Sequence, residues 1–298
     1  MTDVVILGCG YVGLELGRQL SDTNDVVGVR RSSAGVEAIE EAGCTGISAD
    51  LTDPEALSQV PDAEALVFAA SSGGRDASAA RRIYVEGQQI ALDHFAAREN
   101  PPERYVYTSS TGVYGDHDGD WVDESTPLDP TTDKTRVLAE AESVALDGAD
   151  ERGIDGTVAR FAGLYGPDRY RLERYLDGPV TEGYLNMVHR DDAAGAVAHV
   201  LENGQARDEV VVVVDDEPVD RWEFADWLAA ECGVDLPPKQ TTEARLADDN
   251  LSAAARRRIR TSKRCSNEKL RELGYEFRYP TFREGYRDAV SAYRDSAR

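Results

Sequence analysis

Val4-Val5-Ile6-Leu7-Gly8-Cys9-Gly10-Tyr11-Val12-Gly13 decides the fold of this chain. Four apolar residues, three of them β-branched, run into glycines spaced G-x-G-x-x-G. An amphipathic stretch, Val12–Leu20, follows at once. A β-branched run bounded by a glycine turn reads as a buried strand. In such a loop Gly8 permits the tight turn, Gly10 lets the backbone approach a pyrophosphate, and Gly13 lets helix and strand pack closely. Tyr11 and Val12 open the helix, whose first amide groups and positive dipole end suit phosphate. The loop is expected to hold a dinucleotide.

The same alternation continues outward. Asp3–Leu7, Asp25–Val29, Gly43–Ala49, Ala65–Ala70 and Arg104–Thr108 read as strands. Between them Gly35–Ala42, Pro54–Val60 and Ala77–Arg98 read as helices, and Thr131–Leu146 and Gly156–Ala162 add a further helix and strand. Near-continuous apolar strands alternating with helices imply an α/β fold with a doubly wound parallel sheet, covered on both faces. Residues 1–165 are expected to form the nucleotide-binding (Rossmann) lobe. Residues 166–298 are expected to form a smaller C-terminal substrate lobe, with segments near 185–214 returning to the main sheet. Leu185–His189 and Glu209–Val214 read as strands there, and Asp191–Glu202, Arg221–Cys232, Ser266–Gly274 and Phe282–Arg294 as helices.

Composition narrows the function. The net charge is −23 over 298 residues, and only four of the 33 basic residues are lysine. That surface disfavours a nucleic-acid backbone as partner. It suits a protein dissolved in a salty cytoplasm, where ions screen self-repulsion. No apolar run approaches the ~18 residues of a membrane helix. The N-terminal strand has no basic segment before it and reads as structure and not as a signal peptide. Cys9, Cys44, Cys232 and Cys265 show neither metal nor disulfide spacing, so no metal is expected.

Two features after the glycine loop bear on which dinucleotide binds. A site for NAD places an acid about 20 residues on, at the end of the second strand. Here Val29 is followed by Arg30-Arg31-Ser32, two guanidiniums and a hydroxyl that suit the 2′-phosphate of NADP, with NAD as the alternative. Asp50-Leu51 follows the third strand, where a carboxylate meets the adenine amino group or caps the next turn.

Several segments in order then resemble the extended short-chain dehydrogenase/reductase family, also called the NAD-dependent epimerase/dehydratase family. They are the glycine loop, Asp50-Leu51, Tyr84-Val85-Glu86-Gly87, Thr108–Gly115, Asp123–Pro127, Arg160–Pro167 and Val188–Asp192. The C-terminal Lys263-Arg264 and Tyr279-Pro280-Thr281 resemble the smaller sugar-nucleotide-epimerase-like members. The resemblance implies that Ser110 hydrogen-bonds a substrate carbonyl or alcohol. It implies that Tyr165 lies where nicotinamide and substrate meet, that Arg160 lies near the substrate lobe, and that His189 and Asp192 tether the two lobes.

The family's Tyr-x-x-x-Lys pair does not follow. Aligned through Glu140, those positions hold Thr132 and Arg136. An aliphatic hydroxyl is a poor general base, and guanidinium supplies charge but no proton. Lys134, two residues on, faces another side of the helix. Tyr114, Tyr165 and Tyr107 are the substitute acids considered. Two functions compete: an NADP-dependent oxidoreductase or epimerase acting on a sugar-nucleotide-like or small carbonyl substrate, and an NADP-binding protein without redox activity that reports nucleotide state. The chain is expected to be a monomer or homodimer.

Overall fold

The computed structural model describes residues 2–73 and 76–296. Strand β1 (Thr2–Leu7) lies inside a seven-stranded parallel sheet. On one side it pairs with β2 (Val26–Arg30), which pairs with β3 (Thr45–Ser48). On the other side follow β4 (Ala63–Phe68), β5 (Arg104–Ser110), β6 (Asp155–Phe161) and β7 (Glu209–Val213). The order β3-β2-β1-β4-β5-β6-β7 reverses direction between β1 and β4. A crevice opens at the C-terminal ends of the strands at such a switch point.

Period-two alternation explains the two layers of core. Val4 and Ile6 point to one face, where α1 (Tyr11–Leu20) and the later helix Arg190–Glu202 pack. Val5 and Leu7 point to the other, against Leu92 and Phe95 of a long helical run and Ala141 and Ala145 of the helix Asp133–Asp150. Each of these buried valine, leucine, isoleucine and phenylalanine side chains contributes roughly 1.5–3 kcal/mol. A third cluster, with Leu176, Phe224, Phe282 and Tyr286, forms the core of the C-terminal part.

Helices α2 (Ser33–Glu41), α3 (Ala77–Arg81), α4 (Gly87–Ala96) and α5 (Asp133–Asp150) cover the sheet between these strands. Between α3 and α4 the chain keeps turning as a π-helix, Arg82–Glu86.

The structure departs from expectation in several places. Pro54–Val60 holds only a short 3-10 turn, Ala56–Gln59, in which Leu57 alone is buried. One buried side chain gives too little apolar face for a full helix. Leu185–His189 is not one strand: Tyr184–Leu185 pairs with Val219–Asp220, and Met187–His189 pairs with Gly163–Tyr165. The break falls at Asn186, whose side chain donates to the Lys263 carbonyl at 2.9 Å and accepts from the Cys265 amide at 2.7 Å. Of the segment 185–214, Glu209–Val213 alone joins the large sheet. Phe282–Arg294 is divided into Phe282–Gly285 and Arg287–Ser296.

Candidate functional site: a cleft at the switch point

A cleft of about 590 Å³ opens beyond the C-terminal ends of β1 and β4, lined by the glycine loop, the ends of β2 and β5, and the first turn of α5. The three loop glycines have separate physical reasons. Gly8 has a φ of +84°, and a Cβ there would overlap the Ala70 backbone. The amides of Gly8 and Cys9 both donate to the Val29 carbonyl, at 3.1 and 3.0 Å, which ties the loop to β2. At Gly13 a Cβ would stand 3.1 Å from the Ile6 side chain, so glycine lets α1 sit close on β1.

Gly10 is different. A Cβ on it would meet only the Gly8 carbonyl oxygen, at 3.7 Å. No protein neighbour demands glycine there; the missing side chain keeps the cleft side open. Gly10 is also the N-cap of α1, and no side chain caps this helix or places an acid in its first turn. By contrast α2, α3 and α5 are capped by Ser32, Asp76 and Thr132. Uncapped first-turn amides beside a bare backbone form a cradle for an anion, and the residues present fit a pyrophosphate. Tyr11 and Val12 line the same cradle.

Arg30, Arg31 and Ser32 lie at one end of the cleft with Asp50 and Leu51. Arg30 lies along the first turn of α2; a Cβ on Gly35 would come within 2.7 Å of its Nε. Arg31 is mostly exposed and stands 3.8 Å from Asp50. Asp50 does turn the chain: its Oδ1 accepts from the Thr52 amide at 2.9 Å and the Thr52 hydroxyl at 2.8 Å. The Thr52 amide, above all, holds this carboxyl below its usual range against the opposing effect of burial, with help from Arg31 and Arg82.

The other end is built from β5 and α5. Thr108, Ser109 and Ser110 end β5 in the cleft. Ser110 Oγ accepts from the Gly112 amide at 3.2 Å, so the serine starts the following turn while still lining the cleft. Ser109 Oγ donates to Glu142 at 2.5 Å, and Glu142 receives the Arg160 guanidinium at 2.7 Å. This buried chain fixes the end of β5 to α5.

Not every expected residue arrives. Thr132 is the N-cap of α5, bonded at 2.7 Å to the Thr135 amide, and Arg136 is exposed and paired with Asp133 at 2.9 Å. Neither lines the cleft. Because the helix begins at Asp133, its cleft-facing positions are Lys134 and Leu138. Lys134 therefore faces another side from Thr132 and Arg136, and that side is the cleft. Arg160 is buried and committed to Glu142 and to the Tyr114 hydroxyl at 2.8 Å. Tyr114 is fully buried, and burial pushes its phenol far up. Tyr165 is buried in the C-terminal core, stacked on Tyr286 with ring centres 4.8 Å apart. Tyr107 is fully buried in the sheet core. Cys9 lies beneath the loop, and burial pushes its thiol to about 12.

Tyr84, Lys134 and Arg169 line the cleft although the sequence assigned them no role there. Tyr84 comes from the π turn, and Arg169 stacks over the Tyr11 ring at 3.9 Å. The signal for Lys134 was the Thr132-x-x-Thr135 capping pattern, which fixes where the helix starts and hence which face meets the cleft.

The sheet order, glycine cradle and cleft define a dinucleotide-binding α/β protein. Residues 4–215 match the model of the NAD dependent epimerase/dehydratase family. Protein YeeZ of Escherichia coli is 31% identical over 291 residues, covering 94% of this chain and 97% of YeeZ. A functionally unknown conserved protein from Silicibacter pomeroyi superposes with a TM-score of 0.77 at 29% identity, over 98% of this chain and 99% of that one. A dTDP-glucose 4,6-dehydratase of Streptomyces niveus is 28% identical over 72% of this chain and 64% of its own. The chain belongs to the NAD dependent epimerase/dehydratase family. Among the described residues no helix is long and apolar enough to cross a membrane.

Proposed function

We propose that this protein binds NADP(H) in the switch-point cleft and acts as an oxidoreductase or epimerase on a small sugar-nucleotide-like or carbonyl substrate. The observation that carries this reading is Arg30-Arg31-Ser32 lining the same cleft as the uncapped glycine loop. Two guanidiniums at the end of β2 offer charge-assisted donors to a 2′-phosphate. The bound nucleotide supplies hydride exchange at its nicotinamide. Gly10, Tyr11 and Val12 hold its pyrophosphate, and Ser110 orients the substrate oxygen at the far end. Residues 1–165 serve as the nucleotide lobe and 166–298 as the substrate lobe. The lysine-poor acidic surface suits a saline cytoplasm.

A second reading is an NADP-binding protein without redox activity. It is favoured by the cleft face of α5, where Lys134 and Leu138 leave no tyrosine.

Thermal unfolding in high salt with NADPH, NADH or neither tests both. A ligand at 100 times its Kd adds about 2.7 kcal/mol. NADPH is expected to stabilise at lower concentration than NADH. No response to either nucleotide overturns both readings. Oxidation of bound NADPH in the presence of sugar nucleotides and small carbonyls supports the first, and its failure across that panel supports the second.

A further inference from the structure

Redox chemistry at this cleft needs a group that exchanges a proton with the substrate oxygen, and α5 presents no tyrosine there. Among the described lining residues two tyrosines remain, Tyr11 and Tyr84. Tyr11 donates its hydroxyl proton to the Pro167 carbonyl at 2.9 Å. Tyr84 is differently placed. It projects from the π turn Arg82–Glu86, a widened turn of the kind that recurs at functional sites because it re-aims a side chain. Its ring is buried, yet it lines the cleft with Ser110 and Lys134.

The Tyr84 hydroxyl oxygen accepts hydrogen bonds from Ser72. The Ser72 amide donates to Tyr84 Oη at 3.2 Å, and the Ser72 hydroxyl lies at 3.3 Å. An oxygen that accepts from such donors is stabilised as the anion. The groups facing it are Ser71 and Ser72 from the loop after β4, Tyr107 from β5 and Lys134 from α5. Burial pushes the phenol up, but the Ser72 donors and the Lys134 charge outweigh it and leave Tyr84 below an ordinary tyrosine.

We propose that Tyr84 is the acid/base of this cleft and Lys134 its electrostatic partner, a tyrosine–lysine pair assembled from two helices. The proposal rests on the reading of the cleft as a nicotinamide-dependent redox site. In the oxidising direction the Tyr84 phenolate takes the proton of a substrate hydroxyl. The electron pair of the carbinol C–H bond leaves as hydride to the oxidised nicotinamide, and the C–O bond becomes a carbonyl. In reverse, the Tyr84 phenol returns the proton to the carbonyl oxygen as hydride arrives at carbon. The Lys134 ammonium steadies the phenolate in both directions and gives up no proton.

The test combines tyrosinate ultraviolet absorbance in the cofactor-free protein with turnover. Wild type is expected to show one tyrosine ionising ahead of the others. That early step disappears in Tyr84→Phe and moves up by roughly one pH unit or more in Lys134→Met. Once a substrate is found, Tyr84→Phe is expected to lower kcat by about 10²-fold or more with NADPH stabilisation retained. An early transition that persists in Tyr84→Phe, or unchanged turnover in that variant, overturns the role of Tyr84 alone. NADPH binding without turnover in wild type across the substrate panel overturns the redox reading, and the catalytic role with it.

Discussion

Arg160 and Glu142 form a buried ion pair in which Nη2 and Nε of the guanidinium meet the carboxylate at 2.7 and 3.1 Å. Both side chains are almost wholly enclosed. Glu142 also accepts from Ser109, and Arg160 donates to Tyr114. Removing one partner strands the other charge in a medium that solvates it badly. Glu142→Ala is expected to cost about 3–5 kcal/mol in denaturant unfolding. A paired replacement, Glu142→Leu with Arg160→Met, is expected to recover part of that loss. A single-change cost under about 1 kcal/mol would show that water reaches the pair.

Gly8 and Gly10 are expected to behave oppositely when given a methyl group. Gly8→Ala places a side chain at a φ of +84° and against the Ala70 backbone, so both stability and nucleotide binding fall. Gly10→Ala has a negative φ of −102° and a nearest neighbour at 3.7 Å. Its unfolding midpoint is expected to stay within about 1 kcal/mol of wild type while NADPH no longer stabilises the protein. Retained NADPH stabilisation in Gly10→Ala would place the pyrophosphate elsewhere.

Arg30 and Arg31 are expected to set cofactor choice. Losing a charge-assisted bond to phosphate weakens binding by about tenfold or more. Arg30→Asp and Arg31→Asp should therefore weaken NADPH by that factor and NADH by less, measured by nucleotide titration. Equal losses for both nucleotides would remove the 2′-phosphate from this end of the cleft.

His189 makes stability depend on acid. Its Nδ1 accepts the Asp191 amide at 3.2 Å at the start of the helix Arg190–Glu202, so that nitrogen must carry a lone pair. Burial pushes the imidazole down to about 4, with Arg190 and Arg278 acting the same way and Asp191 and Glu15 opposing. The unfolded histidine titrates near 6.5. Below that pH the unfolded chain takes up a proton that the native site refuses, so this contribution is present above about 6.5 and lost as pH falls through 4. Asp192 and Asp215, raised mainly by burial, act with the opposite sign. The difference in unfolding free energy between wild type and His189→Asn is therefore expected to shrink from pH 7 to pH 5. A pH-independent difference would show that His189 titrates normally.

The glycine loop and the parallel strands were legible because each depends on local sequence: period-two burial, β-branched runs and glycines at fixed spacing. The reacting end was less so. Whether Thr132 or Lys134 meets the cleft depends on a shift of two residues along α5. That shift is settled by the Thr132 cap at one end and by the buried Glu142–Arg160 pair further along, a contact between residues 18 apart in sequence. The π turn around Tyr84 was not legible at all, since its sequence, Arg82-Ile83-Tyr84-Val85-Glu86, suits an ordinary helix equally well. Arg160, Tyr114 and Tyr165 were drawn toward the site by resemblance, and three-dimensional packing assigns them to the interior.

The Tyr11 hydroxyl bond to Pro167, with Arg169 lying over the same ring, joins the first turn of α1 to the segment that follows the strand Gly163–Tyr165. The residue that borders the anion cradle is thus also tied to a segment 156 residues further along the chain. Coupling in binding is reciprocal: a ligand in the cleft that favoured one setting of Tyr11 would favour the matching setting of residues 167–169, and a ligand that held those residues would favour that setting of Tyr11 by the same factor.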